Sequence, residues 1–402
     1  MMPMRVLPLL LSSLIVLLSG CSTVAAWWSD DADDQASKPA AVSAAVPVTA
    51  SASGDISVLW RNNVDQRKPA SPFGFSLPAV IPTGHGELVV AGAQDGRLRI
   101  YRGTGEEVGR IDLHAASESG ALQISNGLIV VGDVTGTIYG LDLSREKVVW
   151  QQQLSAALIG RPVAAGADFI VQTSNNQIYR FHPDGSKVWS YTGNIGGLGM
   201  HLQPSPVVKD GHVYAMFNNA DLVALEAKSG SFMWKRQLLI SNDAAVLSEM
   251  KVPVATPLIV AAADSGRDED MIVVSVFQGE LSFLSLHNGS TFSQRKLSLK
   301  SQPIRIGKLL FIADASGAVS ALNAGNGDTV WKQQVSTGEL TGPILWQGNL
   351  WLADDQANVF KLNQQGKVLA STQLDGRIDR RPVASAHGVL VRNSLGTLYM
   401  LR

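Results

Sequence analysis

Apolar residues along this chain come in short runs that return in groups. Residues 213–217 (VYAMF) form one run, 222–225 (LVAL) a second, and 232–234 (FMW) open a third. Polar breaks at 218–221 and 228–231 separate them. Runs this short, rich in β-branched and aromatic residues and bounded by Asn, Asp, Ser and Gly, predict strands rather than helices. Asn218, Asn219 and Asp221 tolerate left-handed backbone and hydrogen-bond locally, and Gly230 is free to take positive φ. A three-strand meander cannot cover its own faces, so the unit requires neighbours.

The neighbours are present. Similar units occupy 126–154, 166–192, 307–335 and 348–374, with weaker copies from Gly86 and near Asp270 and a truncated one at His387. Their last strands carry Trp150, Trp189, Trp234 and Trp331, with Phe292 read at the equivalent place in a weaker copy. An apolar strand precedes each unit and usually opens on proline: Pro78, Pro162, Pro206, Pro257, Pro303, Pro343 and Pro382. Proline suits a first strand position, where no ladder donor is lost. Four strands in each repeat of about forty residues predict propeller blades. The final unit stops at Arg402 without a Trp strand, whereas 56–64 (ISVLWRNNV) supplies an unclaimed strand with Trp60. The expected fold is therefore all-β: an eight-bladed β-propeller of four-stranded antiparallel blades, closed by the N-terminal strand.

Composition narrows the class. Charged residues make up 17%, glycines number 38 and the formal net charge is −1. Near-neutral charge gives no electrostatic reason to expect nucleic acid as a partner. The N-terminus has the layout of a secretory signal: Arg5, an apolar run over 7–18, then Ser19 and Gly20. The run is too short to span a bilayer as a helix. Cys21, the single cysteine, follows directly and resembles the bacterial lipobox, in which the thiol is acylated. Residues 1–20 are thus expected to be a lipoprotein signal peptide, 21–54 a lipidated cysteine with a flexible Ala/Ser/Pro-rich tether, and 55–402 the propeller. Ser22 stands where Asp retains enterobacterial lipoproteins at the inner membrane, which points to the periplasmic face of the outer membrane.

Candidate chemistry is sparse. The seven histidines are scattered without zinc spacing, and no phosphate loop or G-x-S-x-G elbow occurs. The acidic stretch 264–270 (DSGRDED) has no ordered metal-ligand spacing and reads as a solvated turn. No catalytic residue, metal or cofactor is expected. Trp-bearing propellers of this type also resemble quinoprotein dehydrogenases, but those carry an adjacent-cysteine disulfide that a chain with one cysteine cannot form. A quinoprotein-like or ligand-binding propeller using its central channel is the alternative class.

With its lipobox, tether, Trp-containing blades and C-terminal strand (GTLYMLR), the whole chain resembles the BamB family of outer-membrane β-barrel assembly lipoproteins. The resemblance implies binding to the periplasmic domains of BamA within the Bam complex, with unfolded outer membrane proteins as further candidate partners. Loop lengths suggest where. Trp150 and Pro162 are 12 positions apart, and so are Trp331 and Pro343. Trp189 and Pro206 are 17 apart, and Trp234 and Pro257 are 23 apart. These two enlarged loops are consecutive, and long loops on a rigid scaffold often carry binding. Leu198 and Met200 are the expected apolar anchors of the first, joined by His201; Met250 and Lys251 belong to the second. The resemblance puts His201 at an Arg position, and Val252 and Val254 where acids would be expected.

Overall fold

The short apolar runs become strands that pair in sequence order, in a computed structural model describing residues 55–65, 76–125, 127–194, 203–238 and 252–402. Eight four-stranded antiparallel sheets result, forming an eight-bladed propeller. Blades 1 to 7 span 79–112, 122–153, 163–192, 207–237, 258–295, 304–334 and 340–373. Blade 8 joins three strands within 383–401 to Val58–Asn63, which pairs antiparallel with Thr397–Leu401. Trp60 lies opposite Met400, so the N-terminal strand closes the ring as expected.

Burial follows position in the blade. Middle strands such as Asp168–Gln172 and Met271–Ser275 are buried at every residue, because neighbouring blades cover both faces. Outer strands such as Lys187–Thr192 alternate, with the tryptophan turned inward. The core is accordingly a series of inter-blade clusters. One joins Val90, Ile100 and Ile111 of blade 1 to Ile129 and Tyr139 of blade 2. Another joins Ile272 and Leu284 of blade 5 to Tyr214 and Leu222 of blade 4.

Where a blade carries a tryptophan in its outer strand, the indole locks it to the next blade. Trp150 Nε1 donates to Pro183 O at 2.9 Å, Trp189 Nε1 to Ala227 O at 3.0 Å, and Trp60 Nε1 to Gly103 O at 2.9 Å. Each indole lies on a glycine in the outer hairpin turn of the following blade. A Cβ on Gly185 would sit 2.6 Å from the Trp150 ring, and one on Gly230 would sit 2.7 Å from Trp189. Both glycines have positive φ, so close approach and left-handed backbone select the same residue.

Register corrects the reading of blade 5. In each outer strand one residue bulges out just before the docking position. Ala224 pairs with Trp234 and Leu225 with Phe232, leaving Met233 out. In blade 5, Phe283 pairs with Ser293 and Leu284 with Thr291. Ser293 therefore holds the tryptophan position, and Phe292 is the bulged residue. The aromatic bulk comes instead from Phe283 on the adjacent strand, which lies against Gly327 of blade 6. Between blades 1 and 2 the exchange is different. Gly109 takes the docking position, and the Glu146 side chain fills the space, accepting a hydrogen bond from Arg110 N at 3.2 Å.

Two further expectations change. Pro343 does not open its strand but lies inside Leu340–Trp346, where a register shift between Thr341 and Ile344 removes the need for its missing donor. The acidic stretch is more than a solvated turn. A one-turn helix, Ala262–Ser265, overlaps its start, and three of its four carboxylates have partners. Asp264 pairs with Arg305 at 3.0 Å, Glu269 accepts from Ser285 Oγ at 2.8 Å, and Asp270 accepts from Ala262 N at 2.8 Å. Arg267 lies over the Phe292 ring at 4.2 Å and donates to Gly325 O at 2.7 Å, tying blade 5 to blade 6.

Candidate functional site

Every connection from one blade to the next runs from an outer strand to the following inner strand. The two enlarged connections singled out in the sequence lie between blades 3 and 4 and between blades 4 and 5, so their roots are neighbours on one ring face; the connection from blade 8 to blade 1, over 64–78, is of similar length to the first. Leu198, Met200, His201, Met250 and Lys251 fall outside the described residues, as do Cys21 and all of 1–54.

The roots of both loops are described, and they are tightly held. Asn176 Nδ2 donates to Asn194 O at 2.7 Å, and Gly193 N donates to Asn176 O at 2.9 Å. Asn176 Oδ1 also accepts from Asn218 N at 3.0 Å, which couples blades 3 and 4 at the base of the first loop. A Cβ on Gly193 would meet the Phe217 ring at 2.2 Å, so only glycine lets the chain leave here. On the returning side, Gln203 Nε2 donates to Thr173 O at 2.7 Å. The second loop starts beyond Leu238, whose N–H bonds Ala220 O at 3.0 Å, and returns at Val252. Val252 bridges to Phe277, and Val252, Val254 and Phe277 form a small buried cluster. These two valines anchor the loop in the core and do not present it to a partner, which explains why acids would not fit here.

The inner strands begin around a central cavity of about 620 Å³, lined by residues of all eight blades. The residues preceding the opening prolines stand at its rim and bond to one another. Ser205 Oγ accepts from Arg161 N at 2.8 Å, and Ser205 N donates to Thr256 Oγ1 at 3.1 Å. Gln302 Nε2 donates to Pro257 O at 2.8 Å, while Arg381 reaches Gln302 Oε1 at 3.5 Å. These rim residues are marked in the sequence only by their place before each opening proline. The signal was available as the repeated X-Pro dipeptide.

Charge at this rim is mainly positive. Burial pushes the Arg380 guanidinium down to about 10, against the pull of Glu118 and Asp379. Lys300 is paired with Glu339. Arg161 is lowered by burial alone, and Arg381 by burial and by the charge of Arg161. Arg161 is open to water inside the channel yet walled by protein, so it loses bulk dielectric while remaining charged. Among the described residues, no three of His, Cys, Asp or Glu gather as a metal site.

The family model described as outer membrane protein assembly factor BamB matches residues 94–333 and 315–401. Outer membrane protein assembly factor BamB of Yersinia pestis is 22% identical over 333 residues, covering 79% of this chain and 83% of that protein. Among solved structures, BamB from Moraxella catarrhalis superposes with a TM-score of 0.72 at 17% identity, covering 86% of this chain and 99% of its own. Quinohemoprotein alcohol dehydrogenase from Comamonas testosteroni superposes with a TM-score of 0.66 at 12% identity, over 86% of this chain and 76% of its own. At these identities the structural likenesses concern the fold alone.

Proposed function

The chain belongs to the family of outer membrane protein assembly factor BamB, and from that membership we propose that it is a non-catalytic scaffold for outer membrane protein assembly. In this reading, a lipid on Cys21 holds it at the periplasmic face of the outer membrane. The two long loops on one face of the propeller engage the periplasmic domains of BamA, and unfolded outer membrane proteins are further clients. The carrying observation is the family match over most of the propeller. The loop roots support it physically. Hydrogen bonds at Asn176 and Gln203 and the buried Val252–Phe277 contact fix where each loop leaves and returns. A partner then meets loops whose ends are already fixed, so no ordering cost is added at the roots.

Leu198 and Met200 are the proposed apolar anchors of the first loop, flanked by His201; Met250 and Lys251 extend the contact from the second. Interface energy concentrates in a few well-buried side chains. Replacing both anchors, Leu198→Ala and Met200→Ala, is expected to weaken capture of purified BamA periplasmic domains by roughly 2 kcal/mol or more, about thirtyfold. The circular dichroism melt should stay unchanged. His201→Glu should have a smaller effect, mainly on association rate. Undiminished capture by the folded double variant would move the interface elsewhere on the ring.

The anchor has its own test. Cys21→Ala is expected to abolish incorporation of labelled fatty acid and to shift the protein from the membrane to the soluble periplasmic fraction. Labelling that persists in this variant would refute lipidation at Cys21.

A further inference from the structure

The opening residues of the eight inner strands form a ring of their own at the channel rim. The position before each opening proline, or its counterpart in blade 2, is held by Leu77, Gly120, Arg161, Ser205, Thr256, Gln302, Gly342 and Arg381 in blade order. Two of these eight are arginines and none is acidic, although Asp and Glu slightly outnumber Lys and Arg in the whole chain. Arg161 comes from blade 3 and Arg381 from blade 8; both line the same cavity, and the charge of Arg161 is felt at Arg381.

The other cations at the rim are balanced. Lys300 is paired with Glu339, and Arg380 lies in the field of Glu118 and Asp379. Arg161 and Arg381 are not balanced in this way. Among the described residues, no carboxylate comes within ion-pair distance of either, and the polar contact of the Arg381 side chain is the 3.5 Å approach to Gln302 Oε1. Two arginines lining one cavity, neither within ion-pair distance of a carboxylate among the described residues, leave two cations there without a direct counter-charge. They offer forked donors matched to the oxygens of a carboxylate or phosphate. A cavity of about 620 Å³ lies within the usual size range of small-molecule sites.

We propose that the central channel binds a small multivalent oxyanion, a phosphoryl compound or a polycarboxylate, between Arg161 and Arg381. The anion supplies the counter-charge that both arginines lack and links blades 3 and 8 through the channel. Gln302 hydrogen-bonds both Arg381 and the backbone of Pro257, which fixes one side of the site. The cavity shares its rim with the roots of the two long loops, Gln203 and Val254 among its lining, but Arg161 and Arg381 lie outside those loops, so loss of anion binding with undiminished capture of BamA domains distinguishes failure of one reading from failure of the other.

Isothermal titration calorimetry of the full chain with pyrophosphate and with citrate, at low and matched ionic strength, tests the proposal. Wild type is expected to show one saturable site for at least one probe. Pyrophosphate alone would assign phosphoryl ligands, and citrate alone carboxylates. Arg161→Gln and Arg381→Gln should each weaken binding at least about tenfold, and the double variant should abolish it. Arg145→Gln, which alters an exposed arginine paired with Asp142, should bind like wild type. Thermal melts keep the test independent of misfolding: wild type should melt higher as probe concentration rises, and the double variant should melt no lower than ligand-free wild type. The proposal is overturned by the absence of saturable binding for both probes. It is equally overturned by full binding in the folded double variant, or by equal loss in the Arg145→Gln control.

Discussion

Removal of residues 55–66 is expected to destroy the cooperative melt of the propeller. The segment supplies the outer strand of blade 8, paired with Thr397–Leu401, and two further backbone bonds join Ser57 and Arg402 in both directions at 3.0 Å. It also spans the seam to blade 1. Trp60 Nε1 donates to Gly103 O at 2.9 Å, and Asn62 Nδ2 donates to Gly105 O at 2.6 Å. Val64 is fully buried against Val89, Tyr101 and Leu398, and Ile56 joins the cluster between blades 7 and 8. Losing Val64 and Ile56 forfeits roughly 1.5–3 kcal/mol each. The loss of Trp60 packing and of a whole strand ladder adds to this, and together they approach the 5–15 kcal/mol that holds a domain folded. The remaining strand would present an unpaired edge beside uncovered apolar surface, which promotes association between copies. Differential scanning calorimetry and light scattering would detect both effects. A truncated protein melting as a monomer at the wild-type temperature would show that the ring does not depend on this closure.

The fold was legible because its signals are local and repeated. Strand runs, turn residues and a tryptophan recur in each unit, and a missing strand at one end matches a spare strand at the other. Exchanges across a strand pair were not legible. Nothing near Ser293 marks it as the docking position; its identity depends on a bulge at Phe292 and on Phe283 lying opposite. Glu146 likewise looks like a surface turn residue until Gly109 is found beneath it. The rim arginines were visible as X-Pro pairs, but their place around one cavity requires the ring, because Arg161 and Arg381 are far apart in sequence. The proposed loop anchors rest on loop length and composition, which indicate where a partner has room and do not fix side-chain positions. The electrostatic half of the closure was hidden for the same reason as the rim: Asp65 follows a strand as an ordinary polar residue, and Arg392 interrupts an apolar one.

Those two residues support the second large effect. Asp65→Ala is expected to destabilise the protein by about 3–5 kcal/mol, the range for removing one member of a buried ion pair. Arg392 NH2 donates to Asp65 Oδ2 at 2.8 Å, with the two side chains 1% and 3% exposed. Burial lowers the Arg392 pKa, and Asp65 is the strongest influence holding its charge in place. The pair also carries the ring closure. Arg392 NH1 donates to Gly92 O at 2.6 Å and to Ser76 Oγ at 3.0 Å in the first blade region, while Asp65 Oδ1 accepts from Gln94 N at 2.7 Å. Removing the carboxylate takes away the Asp65 counter-charge while the guanidinium stays buried against Gly92 O and Ser76 Oγ. The double variant Asp65→Ala/Arg392→Met should recover much of the loss, since replacing a whole buried pair by apolar groups is often close to neutral. Urea unfolding of wild type, both single variants and the double variant gives the coupling energy directly. A small cost for Asp65→Ala, below about 1 kcal/mol, would mean that water reaches the seam and that the clasp acts as a surface pair. A double variant no more stable than Asp65→Ala would mean that the carboxylate acts chiefly through its bond to Gln94 N, and that the blade 8 to blade 1 seam is held by backbone geometry rather than by the buried charge pair.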